Sequence, residues 1–422
     1  MTDLRKATGG TVGTFMALST ILGSGMMILP GTSYHELARA AWMPWAVAAV
    51  SVVPLLYCYA WLGRHHPSAS GVAHYSEVAF GPSVGRASGL LAVGALLTGI
   101  PATAITGGRY VAEFSGAGYL AWLFPLVVLV GATLVAALGA NVSGRLQVAL
   151  ILALFALVLA MTVLALGRHG VPAPGTALPG FGAFGAVLTA VYVAFTGWET
   201  VAFTFEEHRR PDLIPRIFAA SYVIVVVLYG LLLFGLFASA GADDPALDQA
   251  PLLITAEAAF GALGRPITLL LVAATITANV VASVLALSRL VFGMARGGHL
   301  PRGLSRMRER DGNPVVAVFA VGTVLTLIAL LQWTGLVPFA WLFILSGGIY
   351  FVLYGIGAAS YGRLATGAGA RAVTVLCAVT VLAVTLVAGP PMWLCWAVFA
   401  VVCLGMLALS RRPAAMLRER VR

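Results

Sequence analysis

Long apolar runs alternate with short polar breaks along the whole chain, and no polar stretch is long enough to form a domain of its own. About 20 helical residues at 1.5 Å each cross the hydrocarbon core of a bilayer. By that measure twelve spans can be marked, at 9–38, 42–62, 84–114, 119–138, 142–167, 182–208, 214–241, 264–294, 314–333, 337–361, 372–388 and 391–410. Runs such as Val148 to Leu166 lack the period-two alternation of a spanning strand. Lipid offers no partner for backbone polar groups, so the spans are helices. The pattern predicts an all-α integral membrane protein with one transmembrane unit over residues 1–410 and a basic tail at 411–422.

Composition sharpens this picture. Of 422 residues 60% are hydrophobic and 9% charged, with a mean hydropathy of +0.97, whereas soluble chains carry about 25% charged residues. A soluble globular, disordered or collagen-like chain is excluded. Cys58, Cys377, Cys395 and Cys403 all lie in apolar runs without metal-ligand spacing, so they read as packing residues. The net charge of +10 would suit nucleic acid, but the charges sit in short loops and serve topology instead. With a cytoplasmic N-terminus, 21 of the 25 basic residues fall inside and only Arg39, Arg109, Arg168 and Arg265 outside. This division predicts a multi-pass protein of the cell membrane with both termini cytoplasmic. Asp243, Asp244, Asp248 and Glu257 crowd one outside loop. The run from Arg302 to Arg310 is placed beside anionic lipid. Lipid is therefore an expected partner, and nucleic acid or an obligate protein partner is not. A cleaved leader over residues 5–41 is not expected, since its apolar run exceeds the roughly 7–15 residues of a signal core. No phosphate-binding loop for an ATP-driven pump is found.

Two spans are interrupted. Gly23-Ser24-Gly25 breaks the first, with Pro30-Gly31 beyond it, and Thr196-Gly197-Trp198-Glu199 breaks the sixth. Each interior glycine costs about 1 kcal/mol in a helix. Gly-x-Gly can also serve close helix packing, but both breaks open a set of five spans, 9–167 and 182–361. Five is odd, so the second set enters from the opposite side. Paired broken helices in two inverted halves point to a transporter's substrate site. Unwinding at Gly23 to Gly25 leaves carbonyls near Ile21 and N–H groups near Ser24 and Gly25, one end for an ammonium and the other for a carboxylate. A zwitterionic α-amino acid matches that pair without any charged side chain. Glu199 is the one carboxylate deep in an apolar span; if charged there it costs about 2.5–3.5 kcal/mol, so it is paired, protonated or facing water. A structural hydrogen bond and a proton-coupling or gating role both fit it. Asn279 either touches substrate or ties helices together. His65, His66 and His74 flank the second loop as solvated or headgroup-level residues.

The segments LSTILGSGMMILP (Leu18 to Pro30), YVAFTGWETVAFTFEEHRRPDLIPR (Tyr192 to Arg216) and NVVASVLALSRLVFGMARGGHLP (Asn279 to Pro301) resemble the first, sixth and eighth spans of the amino acid-polyamine-organocation (APC) permeases. LGRHHPSASGVAHYSEVAFG (Leu62 to Gly81) resembles more narrowly the bacterial exporters of methionine and branched-chain amino acids. The resemblance implies a LeuT-type 5+5 inverted repeat with two extra C-terminal helices at 372–410. It implies that substrate carboxylate meets the Ser24 and Gly25 backbone and the Ser24 hydroxyl, and that the amino group meets the carbonyls of Ile21, Val193 and Thr196. Phe195 and Trp198 are expected as walls, and Val193 is smaller than the aromatic residue that relatives with large cationic substrates carry. The lysine that many proton-coupled relatives have in the fifth span is Leu154 here, so their coupling scheme does not transfer. Sodium is not established, although Thr277 and Ser283 supply hydroxyls.

The sequence thus predicts a non-enzymatic amino-acid transporter working by alternating access, without a cofactor, that exports or exchanges Met, Leu, Ile and Val. Its site is assigned to Ile21, Gly23, Ser24, Gly25, Val193, Phe195, Thr196, Gly197, Trp198 and Asn279, with Glu199 for coupling or gating. Proton-coupled uptake is the alternative, and the coupling ion stays open. An intramembrane enzyme lacks convergent titratable groups, and a channel lacks a ring of like charges.

Overall fold

The computed structural model describes residues 14–410, apart from 15–17, 19–20, 22, 69, 140–142, 171, 199–210 and 249. Fourteen α-helices are present among these residues. They are α1 (Ser24–Leu37), α2 (Trp42–His65), α3 (Val72–Phe80), α4 (Pro82–Ser115), α5 (Leu120–Leu138), α6 (Ser143–His169), α7 (Phe181–Ala194), α8 (Ile214–Ser239), α9 (Pro251–Phe260), α10 (Gly264–Arg296), α11 (Val315–Trp333), α12 (Phe339–Leu364), α13 (Ala368–Ala388) and α14 (Pro390–Ser410). Among the described residues, nine helical stretches are long and apolar enough to cross a membrane. The chain is a multi-pass membrane protein.

Expected spans and observed helices agree closely where the apolar run ends at a helix stop. Gly116 ends α4 in the left-handed region, with φ +67° and its N–H on the Ala112 carbonyl at 2.9 Å. Two regions expected as loops are helical instead. Val72–Phe80 and Pro251–Phe260 each bury an apolar face, through Val72, Tyr75 and Ala79 and through Leu252, Leu253 and Ala256. At 9 and 10 residues they reach about half of the bilayer core. Glu257, expected in an outside loop, therefore lies on a helix. The helix lengths run 14, 24, 9, 34, 19 and 27 residues from α1 to α6, and 14, 26, 10, 33, 19 and 26 from α7 to α12.

The core gathers around α4 and α10. α4 packs on α3, α5, α10 and α12, while α1 lies against α7 and α8. Polar groups collect at two ends. At one, Arg39 meets the 172–175 segment through a 2.9 Å bond from the Gly175 N–H to its carbonyl, His35 meets Asp248 at 2.6 Å, and Arg265 meets Glu257 at 3.3 Å. At the other, Arg308 donates to the Ala137 carbonyl at 2.9 Å and to Asp311, and Arg363 donates to the Ala79 carbonyl at 3.2 Å. The Arg308 guanidinium holds the exposed Asp311 carboxyl down to about 2.

Candidate substrate site between two helix breaks

Gly23 adopts an extended conformation between helical Ile21 and the start of α1, and its N–H reaches back to the Ile21 carbonyl at 2.8 Å. The break is tighter than expected. Ser24 and Gly25, expected to be unwound, are the first two residues of α1. The N-cap residue Gly23 has no side chain to cap this N-terminus, and first-turn N–H groups at a helix start suit an anionic group.

The second break follows Ala194. Phe195, Thr196 and Gly197 leave the helix, and Gly197 sits at φ +101°, a conformation that excludes most side chains. The freed carbonyls are divided among fixed partners. Val193 accepts the Thr196 N–H at 3.2 Å and the Thr196 hydroxyl at 2.7 Å. Tyr229 donates to the Ala194 carbonyl at 2.8 Å, and Tyr354 to the Phe195 carbonyl at 3.0 Å. Both lone pairs of the Val193 carbonyl are thus engaged. Of the three carbonyls expected to take a substrate ammonium, that of Val193 is therefore already fully engaged.

The two breaks meet. A cavity of about 70 Å³ is lined by Ile21, Gly23, Ser24, Gly25, Val193, Thr196, Gly197 and Asn279, eight of the residues that the sequence assigned to the site. Leu96, Gly99, Ile100 and Thr103 of α4, Ser283 of α10, and Phe343, Ser346 and Tyr350 of α12 complete its wall with Ala194. Among the described residues, no charged side chain lines it. The Ser24 hydroxyl lies 3.3 Å from that of Thr103, which itself donates to the Gly99 carbonyl at 3.0 Å. Asn279 approaches the first break, with its amide nitrogen 3.6 Å from where a Gly23 Cβ would stand. Gly25 is pressed against α7, since a Cβ there would lie 3.0 Å from the Ala194 Cα.

Phe195 and Trp198 do not form the walls expected of them. Phe195 packs against Trp45 and Tyr229, and Trp198 against Phe218; both are buried, and neither lines a cavity at the breaks. Phe343 and Tyr350 take that place. A signal for α12 did exist in Ser346-Gly347-Gly348, a run of small residues inside an apolar helix. Glu199 lies outside the described residues. Ser283 reaches the cavity, whereas the Thr277 hydroxyl is turned onto the Ala273 carbonyl at 2.7 Å. Leu154 is buried on α6.

A larger cavity of about 460 Å³ adjoins the first and shares Ser24, Gly25, Val193 and Phe343 with it. It extends to Arg109 and Asp248, at the end of the molecule that holds Arg39 and Arg265. Arg109 stacks its guanidinium 3.8 Å over the Phe339 ring.

An amino acid permease family model matches residues 13–388, almost the whole helical unit and both breaks. The chain belongs to the amino acid permease family. Its fold is similar to that of MhsT, crystallised with L-phenylalanine, with a TM-score of 0.67 at 14% identity over 91% of this chain and 99% of that one. Among curated relatives it is 25% identical to the uncharacterised amino acid permease YecA of Bacillus subtilis over 77% of each chain. It is 29% identical to the L-methionine/branched-chain amino acid exporter YjeH of Escherichia coli over 56% of each chain. The branched-chain amino acid permease BcaP of Lactococcus lactis is 24% identical over 70% of each. This permease is an amino acid transporter of the APC type.

Proposed function

We propose that this permease carries neutral amino acids with aliphatic or thioether side chains, Met, Leu, Ile and Val, by alternating access, and that it exports or exchanges them. The observation that carries the reading is the small cavity between the two breaks, where the described residues offer helix ends and hydroxyls and no charged side chain. A carboxylate is favoured at the uncapped start of α1, beside the Ser24 hydroxyl. An ammonium is favoured at the Ile21 and Thr196 carbonyls, where α7 and the first half-helix end. A cationic or anionic side chain would need a buried partner, and of the charged residues bordering the adjoining cavity Asp248 is paired with His35 and Arg109 lies over the Phe339 ring. Similarity to the exporter YjeH supports export, and similarity to the permease BcaP supports branched-chain amino acids as substrates; proton-driven uptake is the second reading.

The matching helix lengths of α1–α6 and α7–α12 support two inverted sets of five spans, each with a short helix before its longest one. With α13 and α14 they make twelve spans. The segregation of basic residues supports cytoplasmic termini. Glu199 is proposed to carry or gate a coupled proton.

Two measurements test this. Thermal stabilisation of the purified protein across the twenty amino acids should peak with Leu, Met, Ile or Val; stabilisation by arginine equal to that by leucine would overturn the neutral-substrate reading. Counterflow and accumulation in vesicles with an imposed pH gradient separate exchange from proton-driven uptake.

A further inference from the structure

The larger cavity is bordered by a residue from outside the two matching sets of helices. Met392, in the first turn of α14, lines it and is 4% exposed. Its position depends on Gly348 of α12. A Cβ at Gly348 would stand 2.5 Å from the Cys395 Sγ and 3.7 Å from the Met392 Sδ, so α14 seats against bare backbone there. The preceding Gly347 makes the same allowance for Val193, whose Cγ2 would lie 2.8 Å from its Cβ. Two successive glycines thus admit α7 and α14 to α12, and Val193 and Met392 border the same space.

Ser24 and Gly25 border both cavities. A carboxylate held there leaves the ammonium in the smaller one, whose 70 Å³ takes roughly five waters. That is room for the charged head and little more. A long side chain must therefore pass Val193 and Phe343 into the larger, mostly apolar cavity, towards Phe351 and Met392.

We propose that Met392 is a specificity-determining residue, the wall that sets how long a substrate side chain the permease accepts. A thioether chain without branching adapts to both straight and branched aliphatic groups, in keeping with a shared site for methionine and leucine. The inference rests on the reading of the helix breaks as the amino-acid site.

The test uses the full chain purified in detergent, with thermal-shift titrations of alanine, leucine, methionine, phenylalanine and tryptophan. Met392→Ala should strengthen phenylalanine and tryptophan relative to alanine by about fivefold or more, the effect of one to two methylene groups of apolar contact. Met392→Phe should weaken leucine and methionine relative to alanine by about the same factor, with alanine itself unchanged. An unchanged size order in Met392→Ala overturns the proposal while leaving the site reading intact, whether or not Met392→Phe folds. Absence of stabilisation by any amino acid in the unsubstituted protein overturns the site reading and this inference with it.

Discussion

Gly25 is where the fold and the proposed chemistry make the same demand. A Cβ there would stand 3.0 Å from the Cα and 3.2 Å from the Cβ of Ala194, and that segment has little freedom to retreat because Tyr229 holds the Ala194 carbonyl at 2.8 Å. Gly25→Ala must therefore move α1 off α7 by a few tenths of an ångström. Overpacking of this kind costs about 1–3 kcal/mol. The same shift displaces the N–H groups of Ser24 and Gly25, and a hydrogen bond to a charged group contributes about 1.5–3 kcal/mol. Loss or weakening of one such bond predicts a roughly ten- to hundredfold weaker Kd for leucine, at about 1.4 kcal/mol per factor of ten. Gly25→Leu should abolish binding. Thermal-shift titration with leucine measures the Kd, and melting without ligand reports the packing cost separately. Gly131→Ala, with open space around the new methyl group, is the control. A Gly25→Ala protein that binds leucine within about twofold of the parent, a difference under half a kcal/mol, would refute the carboxylate position.

Four further outcomes are expected. Tyr229→Phe and Tyr354→Phe each strip a buried carbonyl at the second break of its donor, costing about 1–3 kcal/mol in stability; unchanged melting temperatures would show that these bonds do not hold the break. Glu199→Gln should leave leucine binding in place and remove the pH dependence of net transport in vesicles, and unaltered pH dependence would return Glu199 to a structural role. In a background without the four native cysteines, Asp3→Cys and Ala415→Cys should react with an impermeant maleimide only from the cytoplasm and Ala246→Cys only from outside; any exchange of sides overturns the topology. Burial holds His66 and His299 below the ordinary histidine value of 6.5, so the folded chain takes up these protons less readily than the unfolded one. Stability is then full above about pH 6.5 and falls as the pH drops below it, and His66→Gln with His299→Gln should flatten the melting temperature between about pH 7 and 5.

The nine helical stretches long enough to cross a membrane among the described residues were legible because the bilayer fixes both their length and their apolar character, and α4, α10 and α14 depart from the expected limits by one or two residues. The short helices α3 and α9 were not. Nine or ten residues with His74, Glu77 or Glu257 among them read as polar connections until a groove exists to receive their apolar faces. The site divides the same way. Gly23, Ser24, Gly25, Thr196 and Gly197 announce themselves because a helix that breaks in lipid must spend residues of unusual conformational freedom to do so. Phe343, Ser346 and Tyr350 sit on the unbroken α12, whose local mark is the small-residue run Ser346-Gly347-Gly348 rather than a break. Phe195 shows the converse error. Its place beside the break suggested a wall, but once α7 ends at Ala194 the chain turns, and the ring is carried into the cluster with Trp45 and Tyr229 while only its carbonyl remains near the site, held by Tyr354. Proximity along the chain therefore locates the backbone groups of a broken-helix site, because those are the groups the break sets free. The side-chain walls come from whichever helices can approach that backbone, and here the approach is permitted by glycines on another span. Gly347 receives Val193 and Gly348 receives Cys395 and Met392, so the shape of the space beside the breaks depends on contacts of α12 that no motif at either break encodes.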